Sequence, residues 1–502
     1  MKLDFYGAAG CVTGSSHLLK VKDKRILLDC GMYQGKDEKE KDNNTFNFIP
    51  KDIDYLILSH AHIDHSGRIP LLYKQGFKGR IIATEATKDL CEVMLEDSGH
   101  IQEMETEWVN RKRMRKGQAS LEPLYTAKMA KLSMYLFEGY PYDKWIELFD
   151  GFKFRFRDAG HLLGSAIIEM LIDEDGKETK LVYSGDLGNK DMPILRDPTI
   201  VENADYVIIE STYGNKLHGV FKNDLKQLVN IIDETFKRGG NVIIPSFAVG
   251  RTQEVLYALN SYVENKELKN VKVYVDSPLA IEATEIFDYH SNDFDEDTQV
   301  LIEKGDDPFE FEGLIFSKST EESLEVNKIK KGAVIISASG MCEAGRIKHH
   351  LKHNLWRNES SVVFVGYQAE GTLGRAIVDG AEKVKIFGEE IAVNAKIYNL
   401  EGLSGHADRN GLVSWLEGFK EKPKAILLVH GEKESQESFN KLLRDKGYNS
   451  FIMKHGETFK PGQEKEESLV KNKIINLLDS IKDLDSIEVD LLLEKIKEEL
   501  NS

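Results

Sequence analysis

The amino-acid sequence predicts an α/β protein in which a parallel-sheet region interrupts a strand-rich region. Residues 1–60 contain short apolar runs separated by glycine turns, which indicates strands. From about Asp205, runs rich in Val and Ile alternate with segments of helical period, a pattern typical of a parallel sheet. From about Glu390 the strand pattern returns, and residues 461–502 have the spacing of amphipathic helices.

The first region is predicted to contain strands on both sides of a helical segment. Four strands precede the helical segment, in the runs KLDFY, SSHLLKV, RILLDCG and YLILS. Residues 86–140 are predicted to be helical, because apolar residues recur every three or four positions in LCEVMLEDSGHIQEM. Strands return in GFKFRFRDAG, SAIIEMLI and KLVYSGD.

The strands of the second region are predicted to end in polar or small residues. The runs YVIIEST, NVIIPSF, VKVYVDS, GAVIISAS and SVVFVGY continue into Glu210, Ser246, Asp276, Ser339 and Gly366. Because the carboxyl ends of parallel strands share one edge of a sheet, a ligand site is expected at that edge.

Length and composition favour a soluble protein of two or three domains. The chain has 502 residues, of which 41% are hydrophobic and 30% charged. No signal peptide or membrane-spanning run is apparent, so no membrane partner is expected. The four cysteines lie far apart, which favours a reducing cytoplasm and argues against a thiolate metal site. Any metal should therefore be held by His and carboxylate side chains.

The net charge of -17 argues weakly against a nucleic-acid partner, because phosphate binding usually requires excess Lys and Arg. A positive groove or a pair of bound cations can nevertheless exist on an acidic protein. The overall charge does not decide the matter.

The run LSHAHIDHSG places four ligand-type side chains in one short loop directly after a predicted strand. His60 and His62 alternate at the strand end, and Asp64 and His65 follow where a helix is expected to begin. Two neighbouring ion sites would explain this pattern, one served by His60 and His62 and the other by the remaining pair. Imidazole and carboxylate ligands suit zinc, with manganese or iron as alternatives.

A centre with two ions needs ligands from elsewhere, and four residues share a context of strand and glycine. They are Asp29 in LLDCG, His161 in DAGHLLGS, Asp186 in VYSGDLG and His430 in ILLVHGE. Each one taken alone could also be a turn former, a capped loop residue or a buried structural imidazole. Their shared context favours a common site.

These motifs, in this order, resemble the metallo-β-lactamase superfamily, whose fold is an αββα sandwich. The later runs IIEST, SGHAD and LLVHGE resemble the further motifs of its β-CASP ribonuclease family, and SASGMCEAGRIKHHL and VGYQAEGTLGRAI are also similar to that family. The resemblance covers residues 1–459. It implies a lactamase domain in two parts, 1–205 and 391–460, an inserted β-CASP domain at 206–390, and a helical extension at 461–502.

The resemblance also implies a role for each residue. His60, His62 and His161 would hold one zinc ion, Asp64, His65 and His430 the other, and Asp186 would bridge both. Asp29 would orient the water or a ligand histidine. His406 would be the general acid, hydrogen-bonded to Glu210.

The chemistry that follows is hydrolysis of RNA by a hydroxide that bridges two metal ions, leaving a 5′-phosphate and a 3′-hydroxyl. Endonucleolytic action is expected, with 5′-to-3′ exonuclease action as an addition. In the family, a histidine at the position of His430 accompanies RNA substrates. The alternatives are a DNA nuclease, a small-phosphodiester hydrolase and a catalytically silent RNA-processing scaffold.

Three loops are candidates for binding RNA phosphates. They offer, in chain order, Ser246 and Arg251, then Ser339, Gly340 and Arg346, then Thr372 and Arg375. Ordinary helix caps would explain each loop equally well. The basic run NRKRMRKG at 110–117 is a weaker candidate, because such runs are more often solvated surface. A homodimer is left open, with the C-terminal helices as one candidate contact.

Overall fold

The computed structural model describes residues 1–219, 221–400, 402 and 404–462. It contains two seven-stranded sheets, a six-stranded sheet and a two-stranded sheet among these residues. The predicted helical extension at 461–502 lies almost entirely outside the described residues. No helix in the described ranges is long and apolar enough to cross a membrane.

The first sheet is built mainly from the N-terminal strands. In chain order its strands are β1 (Lys2–Gly7), β2 (Ser16–Val21), β3 (Lys24–Leu28), β4 (Tyr55–Ile57), β5 (Arg80–Thr84) and β6 (Phe137–Tyr140). The last strand of the described chain, β22 (Thr458–Phe459), pairs with β1 at one edge. Strands β3 to β6 run parallel to one another, so their carboxyl ends share one edge.

The second sheet combines strands from three parts of the chain. Its strands are β7 (Ile146–Phe149), β8 (Phe152–Asp158), β9 (Ala166–Glu174), β10 (Lys177–Tyr183), β11 (Tyr206–Ile209), β20 (Ala425–Leu428) and β21 (Ser450–Ile452). Strands β10, β11, β20 and β21 are parallel neighbours. A single hydrophobic core fills the space between the two sheets, with residues such as Phe5, Leu28, Phe154 and Ile208 fully shielded from solvent.

Helices cover the outer faces of both sheets. On the first sheet they are α2 (Ile63–Ser66), α3 (Ile69–Lys74), α4 (Glu85–Arg115) and α5 (Ala127–Ser133), and on the second they are α13 (Arg409–Leu416) and α14 (Lys433–Asp445). The short helix α1 (Gly35–Glu40) has no buried residue. The αββα sandwich expected from the sequence is confirmed. The predicted helical stretch 86–140 is wrong in two places, because residues 116–126 join α4 to α5 without helical structure and residues 137–140 form β6.

The third sheet is entirely parallel. Its strands are β12 (Val242–Pro245), β13 (Lys272–Val275), β14 (Leu314–Phe316), β15 (Ala333–Ser337), β16 (Ser361–Phe364) and β19 (Lys396–Asn399). Its connecting helices are α6 (Phe221–Lys237), α7 (Arg251–Glu264), α8 (Pro278–Tyr289), α9 (Glu296–Glu303), α10 (Thr320–Val326), α11 (Ile347–Asn354) and α12 (Leu373–Val378). The hairpin of β17 (Lys383–Ile386) and β18 (Glu389–Ala392) follows α12.

The sheet pairing differs from the predicted domain borders at two strands. Strand β11 belongs to the second sheet, although it lies beyond the border expected near Asp205. Strand β19 belongs to the third sheet, although it lies beyond the border expected near Glu390. Both strands have only four residues, and so short a run does not reveal which sheet it will join.

Candidate metal centre and active site

Most of the predicted metal ligands follow the carboxyl ends of strands that meet at one edge of the sandwich. Asp29 follows β3, and His60 lies three residues beyond the end of β4 in the first sheet. From the second sheet, Asp186 follows β10 and His430 follows β20, while His161 lies in the loop between β8 and β9. The parallel course of these strands brings residues from distant parts of the chain into one cluster.

One group of ligand-type atoms is formed by His60, His62, His161 and Asp186. The Nδ1 atom of His62 lies 3.1 Å from Nε2 of His60 and 3.2 Å from Nε2 of His161. The Oδ2 atom of Asp186 lies 3.5 Å from Nε2 of His60 and 3.7 Å from Nε2 of His161. Each residue of the group offers one atom within 4.8 Å of the others, close enough to share an ion.

A second group is formed by Asp64, His65 and His430 on the other side of Asp186. The Nε2 atoms of His65 and His430 lie 3.0 Å apart, and Nε2 of His430 lies 3.5 Å from Oδ2 of Asp64. The Oδ2 atom of Asp186 lies 3.3 Å from Nε2 of His65, and its Oδ1 atom lies 3.6 Å from Nε2 of His430. The Asp186 carboxylate therefore faces both groups.

Asp29 fixes the orientation of two of these histidines through the ring nitrogen that faces away from the cluster. Its Oδ2 atom accepts a hydrogen bond of 2.6 Å from Nδ1 of His65 and another of 2.8 Å from the Ser59 hydroxyl. The Ser59 hydroxyl oxygen lies 3.0 Å from Nδ1 of His60 and can accept its proton. The hydroxyl of Tyr183 also donates to Asp29, at 2.6 Å. With the protons on Nδ1, both histidines present the lone pair of Nε2 to the cluster.

Two further histidines are oriented in the same way. Nδ1 of His161 donates to the carbonyl oxygen of Gly405 at 3.0 Å, and Nδ1 of His430 lies 3.0 Å from the hydroxyl of Thr212. Sequence reasoning missed Ser59, Tyr183 and Thr212, although Ser59 and Thr212 stand close to predicted site residues.

Burial and mutual charge set the protonation of the cluster. Burial is the main cause that lowers the pKa of His60 and His161, and it lowers that of His62 to about 4. Burial alone would raise the pKa of Asp186, but His430 and His65 outweigh it and hold the pKa well below its usual range. His60, His62 and His161 are therefore neutral imidazoles beside an ionised carboxylate, the donor set that suits a divalent cation. Burial alone would lower the pKa of His65, but Asp186 and Asp29 outweigh it and raise the pKa.

An unpartnered carboxylate oxygen is further evidence that the cluster is suited to two metal ions. Oδ1 of Asp186 is buried and has no hydrogen-bond partner, although a buried carboxylate oxygen normally has one. It faces His430, so a cation between the two residues would satisfy it. The Nε2 atoms of His65 and His430 lie 3.0 Å apart, and the other ring nitrogen of each already has a hydrogen-bond partner, so both Nε2 lone pairs point into a shared space.

His406 lies beside the cluster in the SGHAD loop, where it contacts Glu210. Nδ1 of His406 lies 3.3 Å from Oε1 of Glu210, which also accepts the backbone N–H of Leu187 at 2.7 Å. Burial alone would lower the pKa of His406, but Glu210, Asp186 and Asp64 outweigh it and raise the pKa to about 9. Its side chain is 17% exposed, so it can meet a substrate.

Of the predicted phosphate contacts, Ser246 follows β12 directly and Arg251 is the first residue of α7. The buried Ser246 hydroxyl accepts a hydrogen bond from Thr252 at 3.0 Å. Arg251 is paired with Glu254, and a Cβ atom added to Gly405 would lie 3.1 Å from its Nη2 atom and 3.4 Å from His161. Arg251 thus lies next to the metal-ligand cluster, but its charge is partly neutralised.

The loop that holds Ser339, Gly340 and Arg346 is stabilised by hydrogen bonds within the protein. The Ser339 hydroxyl accepts the backbone N–H groups of residues 343 and 344. The Arg346 guanidinium donates to Asp276 at 2.7 Å and to the carbonyl of residue 317 at 3.0 Å. These partners tie the guanidinium to the protein.

Thr372 and Arg375 form an ordinary helix start. The Thr372 side chain accepts the backbone N–H of Arg375, which caps α12. The Arg375 side chain donates from Nε to both oxygens of Asp379, at 2.9 Å each. The helix-cap interpretation, which the sequence had left open, describes these contacts.

Phe247 is an aromatic residue that sequence reasoning missed. Its ring centroid lies 6.4 Å from that of His62. A Cβ atom on Gly340 would lie 2.9 Å from the Phe247 ring, and one on Gly366 would lie 3.3 Å from it. Glycine is therefore required at Gly340 by a close approach. The loops after β12, β15 and β16 meet on Phe247 beside the metal ligands.

Three family models match the chain and divide it in the expected order. The metallo-beta-lactamase superfamily model matches residues 9–246, the Beta-Casp domain model matches 252–377, and the model of a Zn-dependent metallo-hydrolase RNA specificity domain matches 390–453.

Similar proteins span nearly the whole chain. The chain is 37% identical over 457 residues to Ribonuclease TTHA0252 of Thermus thermophilus, covering 91% of this chain and 99% of that protein. It is 34% identical over 440 residues to an RNase J-like protein of Methanocaldococcus jannaschii, covering 87% and 94%. A crystal structure of a protein of unknown function from Enterococcus faecalis shares the fold, with a TM-score of 0.50 and 13% identity over 91% of this chain and 99% of that one.

Proposed function

Because the chain belongs to the β-CASP ribonuclease family of the metallo-β-lactamase superfamily, we propose that it hydrolyses RNA with two zinc ions as cofactors. The observation that carries the proposal is the cluster of seven ligand-type side chains, in which Asp186 faces both groups of donors. Manganese is the alternative metal, because the donor set accepts it too.

The chain's residues divide into two ligand sets. His60, His62 and His161 would hold one ion, Asp64, His65 and His430 would hold the other, and Asp186 would touch both. When bound, the ions would acidify a water molecule and offset the negative charge of the scissile phosphate. Asp29 is proposed to keep His65, and through Ser59 also His60, in the ligand tautomer.

His406 is the proposed general acid. Water forms the new bond to phosphorus, the bond to the 3′-oxygen breaks, and the leaving oxygen takes a proton from His406. Asp64 is proposed to accept the proton that the attacking water loses. The products are a 5′-phosphate and a 3′-hydroxyl. Glu210 supports this role, because its carboxylate favours the protonated imidazole that an acid must start from.

Endonucleolytic cleavage is proposed as the main activity, with 5′-to-3′ exonuclease action in addition. The test uses one RNA sequence in two forms, linear with a 5′-monophosphate and covalently circular, and DNA of the same sequence. Cutting of the circle by the wild type, but not by Asp64→Asn, would support a metal-dependent endonuclease. Cutting of the linear RNA alone would mean that a free end is required. Faster cutting of DNA than of RNA would contradict the proposal.

A further inference from the structure

The long helix α4 extends beyond the body of the protein and carries a basic, partly aromatic surface. Residues in its first half, such as Leu90 and Leu95, are buried against the first sheet and α5. In its second half the exposed side chains include Trp108, at 59% exposure, and Met114, at 72%. With a rise of about 1.5 Å per residue, the last 13 or so residues of the helix span roughly 20 Å. We call residues 104–121 the α4 arm.

In the α4 arm, side-chain hydrogen bonds hold the returning segment against the helix. The side chain of Asn110 donates to the carbonyl of Leu121 at 2.9 Å and accepts its N–H at 2.8 Å. Arg113 donates from Nε to the carbonyl of residue 119 at 2.7 Å. The segment after the helix is thereby fastened along α4, which holds the other basic side chains on a fixed frame.

Among the described residues, four basic side chains of the α4 arm make no hydrogen bond to the returning segment. Within the same ranges Arg111 pairs only with Glu107, one helical turn away, in an exposed ion pair of little energetic weight. The ammonium of Lys112 lies 3.1 Å from the ring centroid of Trp108. Arg115 and Lys116 are exposed at the tip. In a chain of net charge -17, this concentration of positive charge beside an exposed indole is unusual.

The base of the α4 arm adjoins the metal-binding loop. Tyr125, at the end of the returning segment, is fully buried in a cluster with Met32 and Leu71, against which Ile63 packs. Ile63 stands between the ligands His62 and Asp64. The amide of Gln102 in α4 also contacts the sulfur of Met32 at 3.9 Å. A polymer that leaves the active site on this side would therefore meet the arm.

We propose that the α4 arm binds the RNA strand outside the active site, with Arg111, Lys112, Arg115 and Lys116 on phosphates and Trp108 stacked on a base. This proposal rests on the proposed function, because it assigns the surface to the same substrate. Positive side chains around an aromatic ring are the usual means of holding single-stranded nucleic acid without sequence preference. The arm would make long RNA a better substrate than short RNA.

The test compares two variants with equal loss of charge. In the arm variant, Arg111, Lys112, Arg115 and Lys116 are changed to Gln. In the control variant, Lys420, Lys422, Lys424 and Lys446 are changed to Gln. The control lysines lie before β20 and after α14, at the end of the sheet opposite His430. Three of them pair with exposed or partly exposed acids, at Glu202, Asp205 and Glu417. Circular dichroism checks that both variants fold.

Binding is measured by fluorescence anisotropy in an Asp64→Asn background, so that the probe is not cut. The probes are 5′-phosphorylated polyuridylates of about 40 and about 5 nucleotides. The arm variant should bind the long probe about tenfold or more weakly. The salt dependence of log K should become shallower by about 0.7 for each phosphate that the arm no longer neutralises. The control variant should bind the long probe like its parent, and the short probe should bind equally to all three proteins.

The role of Trp108 is tested in the same assay with Trp108→Ala and Trp108→Phe. Loss of stacking should weaken binding of the long probe about fivefold or more in the Ala variant, and Phe should restore most of it. Equal binding by the arm and control variants would overturn the proposal. A changed mass of the arm variant in light scattering, with RNA binding unchanged, would also overturn it and would assign the arm to a second copy of the chain.

If the proposed function itself is wrong, the cleavage assay rather than the binding assay will show it. In that case the wild type loaded with zinc would cut neither probe, whatever the binding measurements show. If the wild type cuts RNA and the arm variant cuts and binds the long probe equally well, only the assignment of the α4 arm is wrong.

Discussion

Asp29→Asn is the substitution that tests the logic of the metal centre most sharply, because it keeps the shape of the side chain and changes one atom. Asp29 is fully buried and accepts four hydrogen bonds: two from Ser59, and one each from His65 and Tyr183. Three of these reach the same oxygen, Oδ2. In the variant, an amide NH₂ group would face three donors, or the amide would turn and face the backbone N–H of Ser59 instead.

One of these two orientations of the amide damages the metal site. If the NH₂ group stays at the Oδ2 position, Nδ1 of His65 must become an acceptor, and the ring proton moves to Nε2. Nε2 is the atom that lies 3.3 Å from Asp186 and 3.0 Å from Nε2 of His430, so the lone pair would be lost where the cation needs it. Loss of such an orienting partner typically weakens metal binding about 10- to 100-fold, which corresponds to about 1.4 to 2.7 kcal/mol.

The assay is competition for zinc between the protein and a chromophoric chelator, with two binding events resolved. We expect one of the two dissociation constants to rise about 10- to 100-fold in Asp29→Asn. Tyr183→Phe is the matched control: it removes one donor to Asp29 but leaves the bond to His65, so its effect should be clearly smaller. Unchanged affinity for both ions in Asp29→Asn would refute the idea that Asp29 sets the tautomer of His65.

Three further substitutions separate the other proposed roles. His406→Ala should slow RNA cleavage about a hundredfold or more while two metal ions per chain remain bound in native mass spectrometry; an unchanged rate would remove His406 from the mechanism. Arg346→Ala should lower the free energy of unfolding by about 1.5 kcal/mol in urea denaturation, since Asp276 loses one charged hydrogen-bond partner but keeps His350 and Ser323; a large loss of RNA affinity with unchanged stability would support the phosphate contact. Thr212→Val should weaken zinc binding through His430 without altering the fold, as judged by chelator competition and circular dichroism; equal zinc affinity would show that Thr212 does not orient His430.

The sequence carried most of the information about the metal centre, because its ligands stand in short motifs at strand ends. His60, His62, Asp64 and His65 share one loop, and their chemistry alone indicates an ion site. The residues that orient the ligand histidines without being ligands themselves were harder to predict. Ser59 and Thr212 are common residue types, and only the three-dimensional contacts reveal that they orient His60 and His430.

The predicted phosphate-binding residues stand in sequence contexts that carry much less information. A serine, threonine or arginine after a glycine-rich strand end looks the same in sequence whether it faces a ligand or holds a loop together. Arg346 bonds to Asp276, which lies 70 residues away in the chain, and sequence spacing gives no sign of that contact. The pairing of β11 with the second sheet and of β19 with the third could not be predicted from the sequence for a similar reason, because the partner of a short strand is decided by long-range packing.

The dependence of RNA cleavage on the two metal ions is measured most directly with protein stripped of metal by a chelator and then titrated with zinc. We predict that the stripped wild type is inactive, that activity returns as zinc rises to two ions per chain, and that Asp186→Asn regains neither full occupancy nor activity. Full activity of the stripped protein, or of Asp186→Asn at the same zinc content as the wild type, would contradict the two-metal mechanism.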